Sequence, residues 1–238
     1  TRLELNLVKI YFDTPFKELP PSYQENKEYY DETTFEKLFG CFEIEYQTNE
    51  HEKELELYKR YYESWWMGLV RNLYYRADIH TNNFVLLLTG REQIRKTSHF
   101  KYLLPSFMRE QVAFTTHGFQ SENSVRDVCK LSASNLMIVW DELEQYLNTT
   151  TESNFKKIID NNPQKIIDKY QVVPKMITPV AIYGATSNIR EFKLGHEGSR
   201  RLFHIPVSWV DTDKLLKVNW HKFIRLIKAK VDVAIAKD

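Results

Sequence analysis

Between Glu50 and Tyr75, the residues Leu55, Tyr58, Tyr62, Trp65, Leu69 and Leu73 recur three or four positions apart. That spacing predicts one long helix with a single apolar stripe, which must dock on a neighbouring element. Upstream, from Lys17 to Tyr62, Glu, Lys and Tyr dominate, with a turn signal at Pro20-Pro21 and a break at Gly40, so the segment reads as helices with solvated faces. The pattern changes at Asn82. Residues 84–89 form a continuous apolar run of strand length that stops at Gly90, and residues 96–108 return to helical spacing. Further strand-length apolar runs occupy residues 112–116, 136–140, 177–185 and 202–207, with polar helical stretches at 125–131 and 153–160 between them, and residues 215–235 close the chain as an amphipathic helix. Strands alternating with helices predict an α/β fold, a mainly parallel sheet flanked by helices and preceded by a helical region. The expected division is a helical accessory region over 1–80, an α/β core over 81–210 and a C-terminal helix over 211–238.

A length of 238 residues fits one such domain with a helical appendage, or two small domains. The net charge of +1 hides an asymmetry: residues 1–63 hold 8 Lys/Arg against 15 Asp/Glu, and the remainder holds 25 against 17. The basic remainder suits a phosphate-bearing partner but falls short of a dedicated DNA-binding module. The two cysteines, Cys41 and Cys129, have no CxxC or Cys/His spacing, which gives no disulfide framework or structural zinc site and implies a reducing, cytoplasmic setting. No apolar run approaches the roughly 18 residues of a membrane span, so no membrane partner is expected. Thr1 reads as the start of a trimmed piece of a longer polypeptide.

In a parallel α/β sheet, ligands sit beyond the carboxyl ends of the strands, so the residues after each apolar run carry the candidate chemistry. After the first run, Gly90-Arg91-Glu92-Gln93-Ile94-Arg95-Lys96-Thr97 matches the phosphate-binding pattern Gly-x-x-x-x-Gly-Lys-Ser/Thr except that Arg95 replaces the second glycine. Lys96 is placed to reach outer phosphates and Thr97 to hold magnesium, with Gly90 and Ser98 completing the loop. An ordinary strand-to-helix turn with a basic helix start would look much the same. After residues 136–140 come Asp141 and Glu142, where a first carboxylate can hold the magnesium shell and a second can polarise water; a buried strand ending on an Asp cap is the plainer alternative. After 177–185 come Thr186-Ser187-Asn188, which offer a polar contact for a terminal phosphate or a simple turn. Before 202–207 stand Gly198-Ser199-Arg200-Arg201, either surface charge or a source of positive charge for a phosphoryl group in transfer.

Taken in order, residues 83–207 resemble the virulence-associated protein E family of P-loop NTPase domains, which is similar to superfamily 3 helicases. The residues that carry the resemblance are Leu86-Leu87-Leu88-Thr89-Gly90, Lys96-Thr97-Ser98 with Leu103-Leu104-Pro105, Asp141-Glu142-Leu143, Thr186-Ser187-Asn188 and Gly198-Ser199-Arg200-Arg201-Leu202-Phe203. The resemblance implies ATP with magnesium as cofactors and an NTP-dependent, helicase-like or replication-associated ATPase of a phage or mobile element. In it Lys96 would bind β/γ-phosphate, Thr97 and Asp141 magnesium, Glu142 the attacking water, Asn188 the γ-phosphate, and Arg200 or Arg201 the nucleotide of a neighbouring subunit. It further implies single-stranded or duplex DNA as partner, a homo-oligomeric ring and an upstream primase-like domain.

The departures from the family are Gln93 and Arg95, where the family loop carries glycines that permit positive φ or close backbone approach to phosphate. Arg95 is expected either to obstruct the pocket or to bring its own cation to the phosphates in an altered loop. The phosphate loop is therefore degenerate, and the alternative function is a domain that binds nucleic acid or supports assembly without hydrolysis. The family's basic stretch between the Asp141-Glu142 pair and the 177–185 run is also thinner, with Lys165, Lys169 and Lys175, which weakens the case for DNA contact there. The pairs Tyr29-Tyr30, Tyr61-Tyr62, Trp65-Trp66 and Tyr74-Tyr75 could stack on bases, but helical spacing favours core packing. The seven histidines are scattered without a ligand pair, and Ser98-His99 lacks the context of a nucleophile.

Overall fold

The computed structural model describes residues 33–75, 84–148, 150–160, 164–166, 175–190 and 200–236. In chain order these form α1 (Thr33–Phe39), β1 (Phe42–Ile44), α2 (His51–Tyr74), β2 (Val85–Thr89), α3 (Lys96–Tyr102), a 3₁₀ turn (Ser106–Gln111), β3 (Val112–Thr115), α4 (Glu122–Ser134) and β4 (Met137–Trp140). A second 3₁₀ turn (Leu143–Gln145) follows, then α5 (Glu152–Ile159), β5 (Gln164–Ile166), β6 (Lys175–Ile177), β7 (Ile182–Ser187), β8 (Leu202–Val210), α6 (Thr212–Leu216) and α7 (Trp220–Ile235).

The main sheet has the order β1-β8-β2-β7-β4-β3, and β5 pairs with β6 in a separate antiparallel ribbon. From β8 to β3 every pairing is parallel. Its central strands β2, β4 and β7 are buried at every position, which is why they read as continuous apolar runs instead of alternating ones. The strand that leads into the Gly90 loop and the strand that ends at Asp141 are not neighbours, because β7 lies between them.

Helices cover both faces. On one face α1, α2, α3 and α7 bury Tyr62, Trp65, Trp66, Leu69, Phe100 and Phe223 against Leu86, Leu88 and Val139. On the other, α4 and α5 bury Val128 and Phe155 against Leu87, Ile138, Trp140 and Tyr183. The α2 stripe is seated by polar contacts as well: Trp65 Nε1 donates to the Tyr183 carbonyl at 2.7 Å and Asn72 Nδ2 to the Ala181 carbonyl at 3.3 Å. Each fully buried large side chain contributes about 1.5–3 kcal/mol. The pairs Tyr61-Tyr62 and Trp65-Trp66 therefore serve packing, since Tyr62, Trp65 and Trp66 are buried in mutual ring contact. Gly184 in β7 leaves room for α3, because a Cβ there would stand 2.5 Å from the Phe100 ring.

Several expectations change. The helical accessory region contributes a strand, β1, which pairs antiparallel with β8 and extends the core sheet; three residues with Glu43 exposed give no periodicity to read. The run at 177–185 divides, with Lys175–Ile177 in the ribbon and Ile182–Ser187 in the sheet. The helix expected over 96–108 stops at Tyr102, three residues before Pro105, which biases its predecessor away from helix. The closing helix is broken into α6 and α7, and Asn219 starts the latter by accepting from the Lys222 N–H at 3.1 Å. Pro20-Pro21, Tyr29-Tyr30, Lys169 and Gly198 lie outside the described residues. No described helix is long and apolar enough to cross a membrane.

One buried polar cluster ties α3 to the N-terminal elements. His99 is fully buried, with Nδ1 3.7 Å from Cys41 Sγ and Nε2 3.2 Å from the Tyr62 hydroxyl. Desolvation drives its imidazole down to about 3, so the ring is neutral at physiological pH.

Candidate functional site: a phosphate-loop cleft at the strand ends

The carboxyl ends of β2, β4 and β7 border a cleft of about 400 Å³. It is lined by the loop residues Glu92 to Ser98, by Asp141 and Glu142, and by Thr186 and Asn188. Of the residues singled out in the sequence, Lys96, Thr97, Ser98, Asp141, Glu142 and Asn188 meet there. Gly90 opens the loop immediately after β2.

Gly90 has φ of 152°, and a Cβ on it would stand 2.2 Å from the Val207 carbonyl oxygen and 2.7 Å from Ile94 Cδ1. Only glycine fits, because the close atom is backbone and cannot turn aside. Ile94 is buried and anchors the loop from inside, and its carbonyl accepts the Val210 N–H at 3.1 Å. On either side of it, Gln93 and Arg95 take positive φ, 63° and 68°. The loop thus keeps two left-handed turns where glycine is absent, at a cost of about 1–2 kcal/mol each. Arg95 lines the cleft as well, and its guanidinium bonds Thr212 Oγ1 at 3.2 Å and lies 4.8 Å from the centre of the Trp209 ring. The N-cap residue Arg95 makes no side-chain cap hydrogen bond to α3.

Lys96 is buried, and its ammonium donates to the carbonyls of Gly90 at 2.7 Å and Arg91 at 2.6 Å and to Asn188 Oδ1 at 3.0 Å. Burial pushes its titration below the ordinary lysine range, while the charges of Glu144, Asp141, Glu92 and Glu142 oppose that shift. Thr97 Oγ1 donates to Asp141 Oδ1 at 2.7 Å. The same carboxylate oxygen accepts from Thr186 Oγ1, which in turn accepts the Glu142 N–H at 3.1 Å. Thr186 thereby ties the end of β7 to the turn after β4. Glu142 itself takes φ of 56°, and its carboxylate accepts from the Gln145 amide.

That left-handed residue leads into the 3₁₀ turn, which brings the Glu144 side chain to Asn188. Glu144 Oε1 accepts the Asn188 N–H at 2.9 Å, and its Oε2 is buried without a hydrogen-bond partner among the described residues. Among the carboxylates, Glu144 exerts the largest influence on Lys96. Thr186 and Glu144 are the site residues whose roles the sequence left unassigned. A carboxylate two positions after Glu142 was visible, but its direction depends on a backbone φ that residue types do not reveal.

Arg200 and Arg201 are not part of this cleft. They precede β8, where the Arg201 carbonyl accepts the Val85 N–H at the opposite end of the sheet from Gly90. The length of β2 intervenes, roughly 16 Å at the usual rise per residue. Arg200 is exposed, and Arg201 forms an ion pair with Asp160 at the end of α5. Within one chain these arginines and the Lys96 cleft do not meet.

The donor set fits magnesium carried on a polyphosphate. Among the described residues no three His, Cys, Asp or Glu side chains could together hold a metal. Thr97 and Asp141 supply two oxygens side by side, the number magnesium takes from protein when phosphates and water fill the rest.

Three comparisons bear on this geometry. A family model described as the virulence-associated protein E-like domain matches residues 25–226. A search of curated proteins returns no match. Among solved structures, the fold is similar to the apo structure of the NrS-1 C terminal region (305-718), at a TM-score of 0.53 and 15% identity, covering 90% of this chain and 48% of that one. The A form apo structure of the same region gives 0.50 and 14%, covering 82% and 44%. The chain spans under half the length of these structures, and at such identity the likeness is one of fold.

Proposed function

The chain belongs to the virulence-associated protein E-like domain family, and from that premise and the shape of the cleft we propose that it is the ATP- and magnesium-binding core of a replication-associated, helicase-like ATPase of a phage or mobile element. The observation that carries the reading is the 2.7 Å contact between Thr97 Oγ1 and Asp141 Oδ1, since a loop hydroxyl and a distant carboxylate are thereby presented together next to a buried lysine. Lys96 would exchange its carbonyl partners for β- and γ-phosphate oxygens, with Gly90 and Ser98 shaping the cradle. Thr97 and Asp141 would hold magnesium, which supplies positive charge against the phosphoryl oxygens. Asn188, released from Lys96, would donate its amide to the γ-phosphate, and Glu142 would orient water once its carboxylate leaves Gln145. Arg200 or Arg201 could serve only the nucleotide of a neighbouring copy, because they stand at the wrong end of their own sheet. DNA as partner, a ring of identical subunits, an upstream primase-like domain and a cytoplasmic setting belong to the same proposal.

The second reading, a catalytically degenerate domain that acts in nucleic-acid binding or assembly without hydrolysis, is favoured by one feature: Gln93 and Arg95 hold left-handed turns without glycine, and such strain persists only where the surroundings hold the loop in place. Magnesium-dependent ATP turnover in the presence of single-stranded DNA, compared with Glu142→Gln, separates the two. Turnover that the substitution abolishes supports the motor; no turnover above that control removes it.

A further inference from the structure

Arg95 occupies a position where the phosphate loop calls for glycine, and its side chain reaches two residues at the end of β8 and the start of α6. Those two residues are not incidental. The register between β1 and β8 shifts so that Glu43 pairs with Trp209 while Ile44 pairs with Val207, leaving Ser208 as an extra residue in β8. A bulge of this kind bends the strand and re-aims the next side chain. Here that side chain is Trp209, whose ring lies 4.8 Å from the Arg95 guanidinium, and Thr212 at the start of α6 takes a hydrogen bond from the same group at 3.2 Å. The main chain is joined in the same place, by the Val210 N–H on the Ile94 carbonyl and by the close approach of Gly90 to the Val207 carbonyl.

We propose that Arg95 is a positioning residue: its side chain latches the phosphate loop to the bulged end of β8, through Trp209 and Thr212, and so holds open a left-handed loop that glycine would leave free to wander. The latch takes the place of glycine freedom with a side-chain anchor. In the free protein, the loop populates its binding-ready form because the anchor selects it, and apparent affinity for a polyphosphate scales with that population. This inference rests on the reading of the cleft as a nucleotide site, but it concerns the loop itself and can be measured without turnover.

The test uses Arg95→Ala, Arg95→Lys, Trp209→Leu and the double variant Arg95→Ala/Trp209→Leu; alanine keeps the cost of the left-handed φ, so only the side-chain contacts are removed. Two measurements are made on each: calorimetric titration with magnesium and ATP, and hydrogen exchange of residues 91–97 in the ligand-free protein. The latch gives Arg95→Ala a Kd about tenfold weaker, the combined effect expected of a lost cation–π contact and hydrogen bond. The double variant is then no weaker than Arg95→Ala alone, and Arg95→Lys recovers part of the loss. A role in general stability only would lower the melting temperature and leave Kd unmoved at 25 °C. Arg95→Ala that binds as tightly as the native chain, or effects of the two single variants that simply multiply, overturns the latch. If no form binds ATP, the nucleotide reading falls by itself, and exchange decides the latch: it requires residues 91–97 to exchange faster in both Arg95→Ala and Trp209→Leu, and unchanged exchange refutes it.

Discussion

Acidification offers a test of how the N-terminal elements are joined to the phosphate-loop helix. His99 in α3 is fully buried between Cys41 and the Tyr62 hydroxyl, and desolvation lowers its titration to about 3 from an unfolded value of 6.5. Between those limits the unfolded chain carries the proton and the folded chain does not. Stability therefore falls as pH falls, with a slope of about 1.4 kcal/mol per pH unit for this one group. From pH 7 to pH 5 the loss from His99 is about 2 kcal/mol, or a drop of roughly 4–8 °C in Tm for a chain of this size. His204, which is driven down to about 4 by burial and by the Arg190 charge, acts in the same direction. Urea unfolding at pH 5, 6 and 7 measures the slope, and His99→Gln isolates the group. The variant is less stable at every pH, but its stability falls less steeply with acid by close to one proton. An unchanged slope in His99→Gln would refute the assignment of a buried neutral imidazole and, with it, the polar clasp between α2 and α3.

Other consequences concern the cleft itself. Gly90→Ala forces a Cβ onto the Val207 carbonyl and should destabilise the fold by about 2–4 kcal/mol, measured by urea unfolding; a loss below 0.5 kcal/mol would mean the loop shifts freely. Glu144→Gln keeps an acceptor for the Asn188 N–H, whereas Glu144→Ala does not, so any turnover should fall at least tenfold further in the alanine variant, and equal losses would show that only its charge matters. Arg200→Ala or Arg201→Ala should leave nucleotide affinity nearly unchanged while reducing turnover by about 10³-fold, and mixing either with Lys96→Ala should restore part of it. Mixtures no better than the sum of their parts, with the native protein active and oligomeric, would remove the arginines from the neighbouring site.

The buried strands were legible because a parallel sheet covered on both faces demands unbroken apolar runs, and Val85–Thr89, Met137–Trp140 and Ile182–Ser187 supply them. The meeting of Lys96, Thr97, Asp141 and Asn188 followed from the same rule, since each stands just beyond such a run. What escaped the sequence depends on backbone geometry or on edges. β1 is too short to show a period, and it exists because β8 leaves an edge for it to pair with. Glu144 enters the site because Glu142 takes a left-handed φ, and the Arg95 guanidinium is held where a bulge in β8 turns Trp209 to meet it. Asparagine or glycine would have announced the left-handed turns; Gln93, Arg95 and Glu142 do not.

If Lys96, Thr97 and Asp141 form the proposed polyphosphate and magnesium site despite the missing glycines, calorimetric titration of the protein with ATP, with and without magnesium, shows it. The native chain gives saturable, magnesium-dependent heat, lost in Lys96→Ala and stripped of its magnesium dependence in Asp141→Ala. Absence of heat and of any thermal shift at millimolar nucleotide, in a protein that is folded, would contradict it.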